Sequence, residues 1–203
     1  MIEKNEIILA DCMDIMAEMP DNYIDLAVVD PEFGIGIGNS ARLVTDKGLE
    51  AKKWDDKPID ANYFKELFRV SKNQIIWGGN YYNLGATKHC IVWDKKQPEN
   101  LSFGMFDFAW TSFETSNKMF RYPVRNSEIK IHPTQKPVAL YRWILQNYAK
   151  PDQLIFDSHS GSGSLACACH LEKFDFIACE KDEDYHRDSV NRLTDLRSQG
   201  VLF

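Results

Sequence analysis

Long hydrophobic runs are missing from this sequence of 203 residues. It has no stretch of about 18 apolar residues and no apolar segment near its N-terminus, so we expect neither a membrane span nor a secretory signal. Cysteines are few, and the five that occur are odd in number and lack the spacing of a disulfide framework. Both absences predict a protein of the reducing cytoplasm.

An excess of positive charge is also missing. The 24 Lys and Arg residues are outnumbered by 30 Asp and Glu residues, and the net charge of −6 argues against nucleic-acid binding through a broad basic surface. Residues 95–130 are the exception, with six basic residues against four acidic ones. If the protein binds DNA, this segment is the expected contact, although ordinary solvated surface explains the same excess.

Strand and helix patterns alternate along the chain. Its length and its hydrophobic content of 44% suit one domain, residues 1–203, with a substantial core. Alternation of this kind predicts an α/β fold, in which helices cover both faces of a parallel sheet. The predicted strands are 6–10, 26–30, 74–79, 89–94, 106–113, 153–157 and 174–180, and the predicted helices are 12–19, 62–71, 137–148, 165–171 and 182–198. The composition of residues 35–60 predicts a long mobile loop, of the kind that covers a site or is disordered. Residues 115–130 show neither helical nor strand periodicity.

The first candidate site follows a buried apolar strand. Leu26-Ala27-Val28-Val29 runs into Asp30-Pro31-Glu32-Phe33-Gly34, which presents a carboxylate, a proline carbonyl and an aromatic ring at a strand end. Two acceptors beside a flat ring can hold the exocyclic amino group of a nucleobase. The alternative is an acidic strand end followed by an ordinary turn.

The second candidate site lies near the C-terminus. A strand ends at Asp157, a turn rich in serine and glycine (158–164) follows, and Glu180 lies 23 residues after Asp157. In Rossmann-like units an acid about 20 residues on binds the ribose hydroxyls. A structural turn and an unrelated surface acid are the alternative. Only one strand and one helix come after this unit, so earlier strands must complete the sheet, which predicts a circularly permuted order.

Five motifs carry a resemblance to a known family. They are Ala10-Asp11-Cys12, Asp30-Pro31-Glu32-Phe33-Gly34, Trp93-Asp94-Lys95, His132-Pro133-Thr134-Gln135-Lys136-Pro137 and the segment 157–164. In this order they resemble the motifs of the beta-class (permuted) amino-methyltransferases of DNA, which make N6-methyladenine or N4-methylcytosine. The segment 132–137 matches the family's linking motif residue for residue.

The resemblance implies a Rossmann-like, doubly wound, mostly parallel sheet of the S-adenosylmethionine-dependent methyltransferase type, circularly permuted. It implies S-adenosylmethionine as cofactor, double-stranded DNA as partner, adenine N6 as the target, because residue 30 is aspartate, and no metal. A short target-recognition region falls at about 100–131, where Arg121 and Arg125 are candidate contacts. The implied catalytic residues are Asp30, Pro31 and Phe33, and the implied cofactor-binding residues are Asp11, Cys12, Thr134, Lys136, Asp157, Ser160, Gly161, Gly163 and Glu180.

Two departures from the family pattern leave alternatives open. Glu32 stands where the family has a second proline, and Ser158-His159 stands where it has Pro-Phe. The alternatives are cytosine N4 methylation, a non-catalytic module that binds S-adenosylmethionine or DNA, and a nicotinamide-dependent oxidoreductase. The resemblance also leaves open a homodimer and a restriction endonuclease partner. Cys167-x-Cys169-His170 lacks the second half of a zinc site, so we interpret it as helix packing.

Overall fold

The computed structural model of the protein describes residues 2–39, 52–100, 104–124 and 128–199. Its strands are β1 (Ile7–Leu9), β2 (Ile24–Val29), β3 (Ser71–Trp77), β4 (Cys90–Asp94), β5 (Phe106–Thr111), β6 (Lys118–Arg121), β7 (Leu154–Asp157) and β8 (Asp175–Glu180). Its α-helices are α1 (Cys12–Ala17), α2 (Ala61–Val70), α3 (Val138–Tyr148), α4 (Ser164–Glu172) and α5 (Glu183–Ser198).

These strands form an eight-stranded sheet in the order β1-β8-β7-β2-β3-β5-β4-β6. Only β5 runs antiparallel to its neighbours within the described residues, and the other pairings are parallel. The predicted mostly parallel α/β sheet is therefore confirmed. The strand β6 was not predicted, because its four residues alternate between half-buried and exposed positions at the sheet edge and carry no apolar run.

The core has two layers, one on each face of the sheet. Alternate residues of β2 divide between them: Leu26 and Val28 pack on the side of α3 and α4, whereas Ala27 and Val29 pack on the side of α1 and α2. Both sets are buried, as expected for a central parallel strand. None of the described helices is both long enough and apolar enough to cross a bilayer.

The parallel pairing of β2 with β7 sets the position of the candidate sites. Leu26 lies opposite Ile155 and Ala27 opposite Phe156, and the backbone N–H of Leu154 donates to Asp25 Oδ2 at 2.9 Å. Parallel strands end at the same edge of a sheet. The turns that follow β2 and β7 therefore leave that edge side by side.

Truncation of Ile155 tests the buried position of β7. Ile155→Ala should lower the free energy of unfolding by about 2–5 kcal/mol, because removal of a buried side chain loses contacts and leaves a cavity. Ile129→Ala is the matched control, since the same atoms leave a side chain that is 83% exposed, and we expect a loss of about 0.5 kcal/mol or less. Urea denaturation followed by circular dichroism measures both, and equal losses would contradict the buried position.

Candidate active site

A cavity of about 1370 Å³ opens at the carboxyl edge of β2, β7 and β8. Asp157 and Gly163 do not line it. The other residues predicted for the site do: Asp11, Cys12, Asp30, Pro31, Phe33, Thr134, Lys136, Ser160, Gly161 and Glu180. The structure thus brings residues from both ends of the chain to one cavity.

Asp30 is a half-buried carboxylate in which one oxygen has a hydrogen-bond partner. Its Oδ2 accepts a short hydrogen bond from Lys136 Nζ, whereas Oδ1 is buried and has no hydrogen-bond partner in the described part of the chain. Burial raises the pKa of Asp30, and the charge of Lys136 opposes that rise. Lys136 was predicted beside the cofactor, and here its ammonium group lies on Asp30 and 5.2 Å from the centre of the Trp77 ring.

The residues after Asp30 form an aromatic wall. The hydroxyl of Tyr82 donates to the carbonyl oxygens of Pro31 at 3.0 Å and Glu32 at 3.1 Å. The Phe33 ring stacks on Tyr81, with centroids 5.0 Å apart and planes 17° from parallel. Neither tyrosine was predicted for the site, because both belong to a loop that only the fold brings to this edge.

Asp55 holds the turn that follows Phe33. Its carboxylate accepts from the backbone N–H of Gly34 at 2.8 Å and of Ile37 at 3.0 Å, and it is 1% exposed. It belongs to the predicted loop 35–60, of which residues 40–51 lie outside the described ranges. No local pattern marks Asp55, because Gly34 lies 21 residues earlier in the chain.

Glu180 orders the glycine turn. Its Oε2 accepts from Gly161 N at 2.7 Å and its Oε1 accepts from Asp182 N at 2.9 Å. Ser160 N donates to Cys179 O at 3.0 Å, while the Ser160 hydroxyl is buried with no partner among the described side chains and backbone. A bound ligand could satisfy this hydroxyl, so the wall suits a polar cofactor.

Asp157 precedes the turn and Gly163 lies within it, and neither residue lines the cavity. Asp157 accepts from His159 N at 3.2 Å, and burial raises the pKa of its carboxyl to about 7. Gly163 has a φ of +69°, and an added Cβ would lie 3.1 Å from Ser189 Cβ and 3.2 Å from Ile7 Cδ1. It therefore lets α4 pack closely against α5 and β1.

The segment 132–137 crosses between the two turns. His132 Nδ1 lies 3.2 Å from Thr134 Oγ1, and the His132 ring packs edge-on against Tyr185 with centroids 4.3 Å apart. Thr134 thus faces the cavity beside the glycine turn, and the chain continues to Lys136 on Asp30.

Asp11 and Cys12 begin α1 at the cavity rim. Asp11 caps the helix by accepting from Met13 N at 2.8 Å. Cys12 is buried, with its Sγ 4.0 Å from His159 Nε2. Of the predicted DNA contacts, Arg121 is exposed and lies 3.6 Å from Asp94, whereas Arg125 falls outside the described residues.

Comparison with known proteins identifies the family. A family model described as DNA methylase, of the N6/N4 methyltransferases, matches residues 71–191, which is more than half of the chain. This chain belongs to the N6/N4 DNA methylase family. The type II methyltransferase M2.MboI of Moraxella bovis is 25% identical in an alignment that covers 96% of this chain and 89% of M2.MboI.

Solved structures of DNA methyltransferases share the fold. The M1.HpyAVI–SAM complex has a TM-score of 0.62 at 19% identity, covering 92% of this chain and 98% of that one. The cytosine-N4-specific PvuII DNA methyltransferase has a TM-score of 0.64 at 12% identity, covering 98% and 93%. The chain is thus a DNA methyltransferase of the N6/N4 family with the family's sheet, which favours this interpretation over an oxidoreductase.

Gly78 is the position at which a methyl group should displace Phe33. A Cβ at Gly78 would lie 2.1 Å from Phe33 Cε1, and the matched position Gly85 has a similar φ of +77° with no atom within 4 Å. Both alanine variants should lose about 1–2 kcal/mol of stability through left-handed strain. Gly78→Ala alone should lose further stability and slow methyl transfer, because its methyl group would displace the Phe33 ring. Urea denaturation and a methylation assay compare them, and equal behaviour would contradict the contact.

Asp157 should make stability depend on pH. A carboxyl whose pKa is raised on folding contributes stability that is full below its unfolded pKa and is lost as the pH rises through about 7. Asp157→Asn removes this dependence and keeps an acceptor for His159 N. The unfolding free energy of the variant minus that of the native chain should therefore increase as the pH is raised from about 5 to about 8. A constant difference in urea denaturation across that range would refute the assignment.

Proposed function

We propose that this chain transfers a methyl group from S-adenosylmethionine to the exocyclic amino group of a flipped base in double-stranded DNA, and that the base is adenine, methylated at N6. The observation that carries the proposal is the shared cavity. Asp30 and Gly161 both line it, at the ends of the neighbouring strands β2 and β7. Its volume of about 1370 Å³ exceeds the range of about 300–1,000 Å³ for single-ligand pockets, which suits a cofactor and a base together.

Asp30, Pro31 and Phe33 hold the base. Phe33 stacks on it, Asp30 Oδ1 accepts one amino hydrogen and the Pro31 carbonyl accepts the other. Acceptors at these points stabilise the positive charge that develops on the nitrogen, and the fixed geometry aims its lone pair. Burial raises the pKa of Asp30, which suits its carboxylate to take the proton that the methylated nitrogen releases.

Polar groups around the glycine turn hold the cofactor. When bound, S-adenosylmethionine supplies an electrophilic methyl group. The Ser160 hydroxyl is buried without a partner among the residues described, and Glu180 keeps acceptor capacity for ribose hydroxyls beyond its two backbone contacts. Asp11 and Cys12 border the adenine, and Thr134 borders the methionine end. Asp157 and Gly163 act indirectly, by shaping the turn.

The rest of the organisation stays predicted. Residues 1–203 form a single methyltransferase domain in a circularly permuted order, and about 100–131 form the target-recognition region. Six of those residues, 101–103 and 125–127, lie outside the described ranges. A homodimer and a restriction endonuclease partner also stay predictions.

Methyl transfer from tritiated S-adenosylmethionine to DNA from a methylation-deficient host tests the function. The native chain should label the DNA, and mass spectrometry of the nucleosides should find N6-methyladenine. Asp30→Asn should lower kcat by about a hundredfold or more, because it removes the charged acceptor. Asp14→Asn, on the exposed side of α1, is the matched control and should keep native activity.

Other outcomes identify the alternatives. N4-methylcytosine would correct the base and keep the reaction. Label that appears only with Glu32→Pro would indicate a lapsed active site. Binding of S-adenosylhomocysteine without any label on DNA, in both chains, would indicate a non-catalytic module.

A further inference from the structure

A buried carboxylate and a half-buried histidine meet between the turns that carry the site. Glu32 follows Asp30 in the turn after β2, and His159 lies in the turn after β7. The side chains are 9% and 14% exposed, and His159 Nε2 lies 3.1 Å from Glu32 Oε2. A residue from each of the two departures from the family's motifs is thus in contact with the other.

Each member of the pair has a further partner. Lys181, which follows β8, donates to Glu32 Oε1 at 2.6 Å. His159 Nδ1 lies 2.8 Å from Ser158 Oγ, which in turn lies 2.6 Å from the hydroxyl of Tyr63 on α2. The contacts form a polar chain that ties together the ends of β2, β7 and β8 and one covering helix.

The charges of the pair agree with this geometry. Burial alone would neutralise both groups, yet the pKa of Glu32 is held below its usual range by His159 and Lys181. The pKa of His159 is held well above its usual range, against burial, by Cys12 and Glu32. A cationic ring carries a proton on both nitrogens, so Nδ1 can donate to Ser158 Oγ while Nε2 forms the ion pair with Glu32.

The carboxylate of Glu32 is therefore engaged on the cofactor side of the cavity. It does not leave a second free acid beside Asp30. A buried ion pair is a weak source of net stability, because desolvation offsets the attraction, but loss of one partner leaves the other charge buried and uncompensated. The arrangement gives orientation more than stability.

We propose that the Glu32–His159 ion pair is a positioning device that fixes the turn bearing Asp30 against the turn bearing Gly161. The proposal rests on the proposed function, since these turns hold the base and the cofactor. Neither residue is catalytic. They act by keeping the two turns at a fixed distance from each other. Loss of either residue should therefore remove most of the effect of the other.

A double-mutant cycle of Glu32→Gln and His159→Phe tests this dependence. Each single change should weaken binding of S-adenosylhomocysteine, measured by calorimetry, and lower kcat for methyl transfer. The double variant should be no worse than the poorer single variant, with a coupling of about two- to hundredfold. The matched controls Glu18→Gln and His170→Phe, away from the cavity lining, should leave both quantities unchanged. Effects that simply multiply in the double variant would overturn the proposal.

Titration of His159 by NMR needs no active enzyme. In the native chain the ring should remain cationic well above its ordinary pKa of about 6.5, and Glu32→Gln should bring its pKa down. Other titratable groups also face the ring, namely Cys12 from α1, Tyr63 from α2 and Asp157 from β7. For this reason the comparison is between the native chain and Glu32→Gln. Titration of native His159 near its ordinary value would overturn the proposal even if every variant failed to fold.

The readouts separate this proposal from the proposed function. Coupling in S-adenosylhomocysteine affinity without methylation of any DNA would keep the ion pair and reject methyl transfer. Methylation by Glu32→Gln at the native rate, with unchanged affinity, would keep the function and reject the positioning role.

Discussion

The parallel pairing of β2 with β7 is the constraint on which the site depends. It joins strands whose contacting residues Asp25 and Leu154 are 129 residues apart in the chain. Parallel strands end at one edge, so the pairing brings the turn after Asp30 and the turn before α4 to the same cavity. A site made of the two chain ends exists only while this register holds.

Compensation of buried charge is the second physical constraint on the site. A charge removed from water is costly unless a partner compensates it. Asp30 has Lys136, Glu32 has His159 and Lys181, and Asp55 has a set of backbone N–H groups. Asp30 Oδ1 and the Ser160 hydroxyl are among the buried polar atoms without a hydrogen-bond partner in the described part of the chain. Both residues line the cavity that base and cofactor are proposed to occupy.

Local patterns predicted most of the fold. Apolar runs gave β2 and β7, and helical spacing gave α2 and α3, because burial on one or both faces leaves a period in the sequence. The edge strand β6 was missed for the same reason, since half-exposed residues carry no such signal. Ten of the residues predicted for the site line one cavity. Tyr81, Tyr82, Asp55 and Lys181 were not predicted, because they lie in loops outside the recognised motifs.

The sequence by itself determined the strand-and-turn units, the family and the identity of the two motifs, since these depend on residues close together in the chain. Only the tertiary structure decided how the motifs meet. In the folded chain Lys136 donates a hydrogen bond to Asp30, and the carboxylate of Glu32 pairs with His159. Such contacts join residues more than a hundred positions apart, and no local pattern encodes them. They follow from strand order and register, which long-range packing selects.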